Sequence, residues 1–436
     1  MRSHILFISF ILATFLPPLN AQSLYFPPIS NTAPWDTLSP SSLGWCQDEI
    51  NSLYTFLEEE NSKGFIVLKD GKIVLEKYFG TFTQDSFWYW ASAGKTLTAF
   101  LVGKAQEENY LSINDPSSMY LGAGWTDCLP GQEDQINIWH QLTMTSGLDD
   151  GVPDNHCLID TCLVCIADPG TRWAYHNAPY TLLEQVLEVS TGQGINIYTQ
   201  SRLGAKTGIT GAWFTLDYDN VFFSKVRSMA RFGLLMQNNC IWNSDTLLAD
   251  TEYIQQMINT SQPLNLSYGY LWWLNGKDSY RLPGFQFNVP GPIAPHAPED
   301  MFAGIGKNGQ LVSIARSKGL VVVRMGNQAN NAEVSTVLLD QIWQHLNAVM
   351  CNSTAVPGMP GDQKRFSVFP NPTHDILNIT LPFDSEFQVE ISNLFGEKLM
   401  VVKNRAQIDI AGLLNGVYIL TVKQGGNIFT TKIIKK

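Results

Sequence analysis

A break in texture near residue 356 limits what this chain can fold into more than any other feature. Val356-Pro357-Gly358-Met359-Pro360-Gly361-Asp362 carries two prolines and two glycines, a composition that ends regular structure and joins modules. From Phe366 the text turns into short alternating segments: Ile376–Leu381, Phe387–Ile391, Lys398–Val402, Val417–Val422 and Phe429–Ile434. Period two marks half-buried strands. Turn formers fall between several of them, at Asn393 and Gly396, Asn415 and Gly416, and Gly425-Gly426. A small all-β sandwich is therefore expected over 366–436, behind a linker over 353–365. The preceding stretch of the 436-residue chain is long enough for one larger domain, expected over 22–352.

The start reads as a secretory signal peptide over 1–21: Arg2, a mostly apolar run from Ile5 to Leu16, then the small Ala21. That run is short for a membrane span, and no later stretch is apolar for long enough. No membrane span is expected in the mature chain. A net charge of -11 and a pI near 5.1 argue against nucleic acid and against anionic membrane surfaces. Seven cysteines in an exported chain suggest disulfides, and the odd count leaves at least one thiol over. Cys157, Cys162 and Cys165 stand beside His156. Disulfides, a free thiol or a zinc site are all open there, although the spacing departs from the usual zinc ligands.

Two short motifs carry the chemistry: Ser92-Ala93-Gly94-Lys95 and Tyr175-His176-Asn177. A serine hydroxyl attacks well only when a neighbouring base takes its proton. Three residues along a helix place Lys95 on the same face as Ser92. The flanking Phe87, Trp88, Tyr89 and Trp90 favour a dry pocket, where the charged form of lysine is disfavoured. Tyr-Xaa-Asn occurs twice, at Tyr175–Asn177 and Tyr218–Asn220. Only the first follows a Pro169-Gly170 turn and opens a helix carrying Leu182, Leu183, Val186, Leu187 and Val189, so it is the site candidate. Each residue also has a plain alternative. For Ser92 it is a helix cap, for Lys95 a solvated surface position, and for Tyr175 and Asn177 a place in a turn. A Ser-His-Asp triad is disfavoured, because Trp90 occupies the first glycine position of Gly-Xaa-Ser-Xaa-Gly.

With both motifs in place, the chain resembles the serine β-lactamase/penicillin-binding superfamily, in its class C-like branch near esterases and aminohexanoate-oligomer hydrolases. Four further stretches are similar to that family and in its order: Ile66–Val74 with an Asp70-Gly71 turn, Leu111–Pro116, Leu142–Leu148 and Met229–Leu235. The third family motif departs. Lys206-Thr207-Gly208 has the family's letters but comes too soon after Tyr175. Phe302-Ala303-Gly304-Ile305-Gly306, followed by the strand-like Leu311–Ile314 and Leu320–Val323, is the better counterpart. It lacks the basic residue that grips a carboxylate in many members, which favours short esters or neutral amides over penicillins. Arg172 and Lys307 stand near the motifs and are the residues able to supply that charge.

The resemblance implies a mixed α/β fold, an antiparallel sheet flanked by helices with a mainly helical region. It implies Ser92 as nucleophile and Lys95 and Tyr175 as proton carriers, with Asn177 positioning Lys95 or the substrate. The backbone N–H groups of Ser92 and Ile305, beside Gly304, would hold the oxyanion. No metal or organic cofactor is called for. The two ends of the hydrolase region are neighbouring helices in that fold, which makes a Cys46–Cys351 bridge plausible. The substrate is expected to be an ester or amide; a β-lactamase or D-Ala peptidase, or a non-catalytic binder of peptidoglycan, are the alternatives. Phe369-Pro370-Asn371-Pro372, Gly416-Val417-Tyr418 and the closing Lys432-Ile433-Ile434-Lys435-Lys436 resemble the C-terminal sorting domain of type IX secretion cargo. That implies the type IX machinery as partner and a secreted or cell-surface location after export through the periplasm. A plain β-sandwich for adhesion or spacing is the alternative.

Overall fold

The structure, a computed structural model, describes residues 24–30, 33–328, 332–351, 367–381, 386–393, 397–424 and 427–436. The expected signal peptide and linker lie outside these residues, as do Gly396 and Gly425-Gly426. The chain divides into two compact units, Met1–Ser353 and Thr354–Lys436.

The first unit is built on a six-stranded sheet of β1 (Ser62–Lys69), β2 (Lys72–Tyr78), β3 (Trp273–Leu274), β4 (Phe302–Gly306), β5 (Gln310–Ala315) and β6 (Leu320–Gly326). Its order is β2-β1-β6-β5-β4-β3, with every pair antiparallel. The β1–β2 turn has Asp70 at φ 48° and Gly71 at φ 85°, the left-handed pair that a tight hairpin requires. A side chain on Gly71 would also collide with the Tyr25 carbonyl. Every residue of β5 and β6 is buried, so both faces of the sheet are covered.

Six helices matter for the core and the site: α1 (Gln47–Glu59), α2 (Lys95–Glu107), α3 (Asn177–Thr181), α4 (Leu183–Thr191), α5 (Val226–Gln237) and α6 (Thr336–Val349). Trp343 of α6 donates its Nε1–H to Ser313 Oγ at 3.0 Å, whereas Gly233 of α5 rides directly on Val312 and Val321. Successive strand residues point to opposite faces, so α5 and α6 cover opposite sides of the sheet. α1 packs beside α6, and the Cys46–Cys351 disulfide joins the residue before α1 to the end of the segment after α6, as the family resemblance implied. Cys157–Cys162 and Cys128–Cys165 are also disulfides. The zinc alternative falls because all three of its sulfurs are already in disulfides, Cys157 with Cys162 and Cys165 with Cys128. Cys240 is the remaining thiol; burial pushes its pKa up to about 12, which leaves it inert.

The second unit is two antiparallel sheets around one aliphatic core. Ser367–Phe369, Ile376–Thr380 and Gln407–Asp409 form one sheet. Lys398–Lys403, Phe387–Ser392, Gly416–Gln424 and Asn427–Lys435 form the other, in that order. Leu377, Val389, Ile391, Ile410, Leu420 and Ile433 fill the space between them. Among the described residues no helix is long and apolar enough to cross a membrane.

Candidate active site

The Ser92 turn is held from several sides. Trp88–Tyr89 pairs with the strand Asp219–Ser224, and the fully buried Trp90 donates its Nε1–H to Ser224 Oγ at 2.7 Å. Ala91 then takes φ 45°, a left-handed conformation that a residue with a Cβ adopts only when its surroundings impose it. A 3-10 turn over Ala91–Gly94 runs straight into α2. Side chains three apart eclipse in such a turn, so Lys95 Nζ reaches Ser92 Oγ at 2.9 Å. Ten of the thirteen residues of α2 are buried. It is an interior helix rather than an amphipathic one, and it carries Lys95 inward with it.

Lys95 is only 3% exposed. Burial brings its pKa down to about 7, with the Asp219 and Glu333 carboxylates opposing the fall. Its Nζ also donates to Asn177 Oδ1 at 2.8 Å and stands over the Tyr180 and Tyr175 rings, 4.1 and 5.1 Å from their centroids. A lysine in this state is an amine for much of the time at neutral pH, and an amine accepts a proton.

The loop before α3 delivers the second motif. Gly170, at φ 82°, donates its N–H to Thr145 O at 2.8 Å. Tyr175 is packed with Trp173, Tyr268 and Trp273, stacked on the last at 5.9 Å. Burial drives its hydroxyl pKa far above the ordinary value, and the nearby Ser92 hydroxyl opposes the rise. The Tyr175 hydroxyl forms no well-aligned hydrogen bond among the described residues, so it faces Ser92 without being committed elsewhere. His176 is held neutral by burial, its pKa brought down to about 4, and neither ring nitrogen bonds a described residue. Asn177 opens α3.

Gly304 and Ile305 lie on β4. Strand β3 pairs only with Phe302 and Ala303, so the outer edge of β4 beyond Ala303 is open to the Ser92 turn. A Cβ on Gly306 would stand 2.6 Å from Trp90 O and 3.0 Å from Ser92 N; only a bare backbone fits there. The following turn is secured by Arg324, which is fully buried and donates to Ser62 Oγ at 2.9 Å and to the Gly309 carbonyl at 2.9 Å. By contrast Lys206 and Thr207 belong to a helical turn, with Lys206 paired to Asp245 at 3.9 Å.

Ser92 and Lys95 open into a cleft of about 270 Å³ that also takes in Tyr180, His156, Asp219 and Lys307. Two of these residues, Asp219 and His156, were not drawn from sequence as site residues, and Lys307 is one of the two cations that were. Asp219 and Asn220, from the second Tyr-Xaa-Asn copy, line the cleft wall. His156 accepts from Asn177 Nδ2 at 3.2 Å and meets Asp219 Oδ1 through Nδ1 at 2.7 Å. Lys307 is an exposed cation on the rim, with no ion-pair partner among the described residues. Arg172 is committed to Asp150 and to the Leu148 carbonyl. The cleft therefore has a cation, on the residue directly after the strand that carries Gly304 and Ile305.

Residues 59–347 match the beta-lactamase family, and residues 367–436 match the secretion system C-terminal sorting domain. A Bacillus subtilis protein named for penicillin binding, PbpX, is 22% identical over 325 residues, 69% of this chain and 79% of its own length. A solved structure from Bacillus anthracis, described as a 6-aminohexanoate-dimer hydrolase, aligns with a TM-score of 0.56 at 16% identity. It covers 75% of this chain and 89% of that one. The octameric penicillin-binding protein homologue of Pyrococcus abyssi aligns at 0.53 and 14%, covering 89% of this chain and 96% of its own. At such identities the solved structures speak to the fold: an antiparallel sheet flanked by helices, as described above.

Proposed function

Because this chain belongs to the beta-lactamase family, we propose that it is an exported serine hydrolase cleaving an ester or amide through an acyl-enzyme on Ser92. One observation carries the reading: a buried Lys95, its pKa near 7, bonded at once to Ser92 and Asn177. Ser92 Oγ attacks the carbonyl carbon while its proton passes to Lys95. The carbonyl oxygen becomes an oxyanion, received by the N–H groups of Ser92 and Ile305 beside Gly304. Tyr175, protonated at rest, gives its proton to the leaving oxygen or nitrogen as it takes up the one that Lys95 received from Ser92. Water then repeats the sequence on the acyl-enzyme and frees Ser92. Nothing in these steps calls for a cofactor.

The C-terminal sorting domain supports export by the type IX machinery to the cell surface or medium. Lys307 favours a second reading, in which the substrate carries a carboxylate, as a β-lactam or a D-Ala peptide does. A non-catalytic binder would have no use for a lysine kept dry against a serine.

Ser92→Ala tests the core of the proposal. Turnover of an activated ester and labelling by a fluorophosphonate probe should both disappear, with the circular dichroism spectrum unchanged. Wild-type turnover in that variant would remove Ser92 from the role.

A further inference from the structure

Asn177 is asked to do something its own helix cannot guarantee. Its amide must present oxygen, not nitrogen, to Lys95, yet the two ends of an amide are nearly the same size and shape. The backbone of α3 is indifferent to which end faces which way. The choice is made on the far side of the amide, where Nδ2 faces Asn155 Oδ1 at 3.3 Å and His156 Nε2 at 3.2 Å. Both of these accept hydrogen bonds, but only one of them titrates.

Resting on the reading above, we infer that His156 and Asp219 form a positioning pair that fixes the Asn177 amide, and through it Lys95, only while His156 is neutral. The pair works by tautomer. Asp219 Oδ1 lies 2.7 Å from His156 Nδ1, and a carboxylate can only accept, so Nδ1 carries the proton. In a neutral ring Nε2 is then an acceptor, and it takes the Asn177 N–H. A second proton on the ring turns Nε2 into a donor facing another donor. Asn177 would have to turn over to satisfy it, and its NH2 group would then point at Lys95.

The surroundings suit a fixed but titratable group. His156 is followed directly by the Cys157–Cys162 disulfide, and its backbone N–H is anchored to Asp154 Oδ1 at 3.0 Å. Its ring is about a third exposed, with a side-chain exposure of 38%, so protons reach it from the cleft. The charged and titratable groups around it come from every neighbouring element. Asp219 and Asp217 lie on the hairpin and Lys307 on the rim, Asp154 is on its own loop, and Lys95 stands behind Asn177. Neutral, buried His176 stands before α3, and the Asp150 and Glu333 carboxylates line a second cavity together with the neighbouring Asn155. An ordinary cross-link between two loops would not need its imidazole aimed at the one amide that holds the catalytic lysine.

The test is the rate at which a neutral fluorophosphonate phosphonylates Ser92, with loss of fluoride, in the full mature chain, measured from about pH 5 to about pH 9. His156→Ala should slow phosphonylation at pH 8 about ten- to a hundredfold, the scale of a misplaced catalytic group. His156→Gln should recover most of that loss, because its side-chain oxygen accepts the same hydrogen without titrating. On the acid side the wild type should fall more steeply with pH than His156→Gln, whose side chain takes up no proton and leaves only the loss at Lys95. A merely structural role for His156 would slow both variants alike and leave the slope unchanged. A wild-type phosphonylation rate in His156→Ala, or a wild-type acid slope in His156→Gln, overturns the inference alone. If His156→Ala does not fold, the slope of His156→Gln decides. A wild type that is never labelled overturns the Ser92 reading, and this inference with it.

Discussion

The chain spells Tyr-Xaa-Asn twice, and the fold puts the two copies to different uses on the same cleft. Tyr175 and Asn177 are 2% and 4% exposed, wedged behind a tight loop and against Trp173, Tyr268 and Trp273. Tyr218 and Asn220 sit at the tip of the hairpin formed by Gly211–Leu216 and Asp219–Ser224, where Asp217 turns the chain at φ 54°. Water reaches that tip. The letters are the same, but burial separates them: one copy lies behind Ser92 and Lys95, and the other forms a wall of the cleft. Deep in the cleft, polar atoms are dry and few, and Lys95 is paired with Ser92 and Asn177. At the rim they are wet and available to a substrate. The division predicts that changes in the buried copy act on kcat, and changes on the open wall act on KM or on nothing. Asp219 is the exception, since it reaches the buried side through His156.

The largest effects belong to the buried side. Lys95→Ala and Tyr175→Phe should each lower kcat by about a hundredfold or more, the scale for general acid–base groups. Groups that act as a unit are not additive, so the double variant should lose less than the product of the two; multiplicative losses would break the shared relay. The pH dependence has a definite sign. Burial has moved the Lys95 pKa down to about 7, so the free amine predominates above that pH and is lost as pH falls through it. Acylation should therefore decline by at least about tenfold per pH unit on the acid side. Tyr175 is moved the other way by burial, stays protonated across that range, and is a donor rather than a phenolate base. A rate that rises on acidification would contradict both assignments.

How far these roles were legible from sequence depends on distance along the chain. Ser92 and Lys95 are three residues apart, and one helical turn brings them together wherever the helix lies. Asn177 meets Lys95 across 82 residues; only resemblance to a family suggested that contact, because no local rule reaches so far. His156 went unassigned for the same reason. Its neighbouring cysteines drew attention to metal chemistry, while Cys165 is bonded to Cys128, 37 residues away. Within α4 the pattern was read one residue too far. Leu183, Val186 and Leu187 are buried as expected, but Val189 is 54% exposed. Two residues past Leu187 it has rotated to about 200°, the opposite face of a helix with 3.6 residues per turn. In the C-terminal unit the five longer strands were readable from their alternation. Ser367–Phe369 and Gln407–Asp409 are three residues each, too short to show a period. Lys307 was named from sequence as a source of charge, but only the fold distinguishes it from Arg172, whose guanidinium is taken by Asp150.

Lys307 should give an intermediate effect, of a different kind. A charge-assisted contact is typically worth about 1.5–3 kcal/mol. Lys307 is exposed and screened, so about tenfold is the reasonable scale. Lys307→Ala should raise KM about tenfold for an ester bearing a carboxylate and leave a neutral ester of the same length unchanged. Equal effects on both esters would take Lys307 out of substrate recognition, and with it the observation that favours carboxylate-bearing substrates. A matching fall in kcat would instead move Lys307 to the buried side of the comparison.

The smallest effect is the one that isolates the comparison. Tyr218 stands in the second copy where Tyr175 stands in the first, and both are separated from an asparagine by one residue. Tyr175→Phe removes a hydroxyl that faces Ser92 from a dry site, where no water can take its place. Tyr218→Phe removes one from a partly exposed hairpin tip, where solvent makes good any lost hydrogen bond. Substitutions of that kind are usually within about 0.5 kcal/mol of neutral, so kcat/KM for Tyr218→Phe should stay within about twofold of wild type. Steady-state kinetics on a neutral ester suffices to check it. A hundredfold loss, equal to that of Tyr175→Phe, would mean that burial does not separate the copies and that the hairpin tip closes over the substrate during turnover.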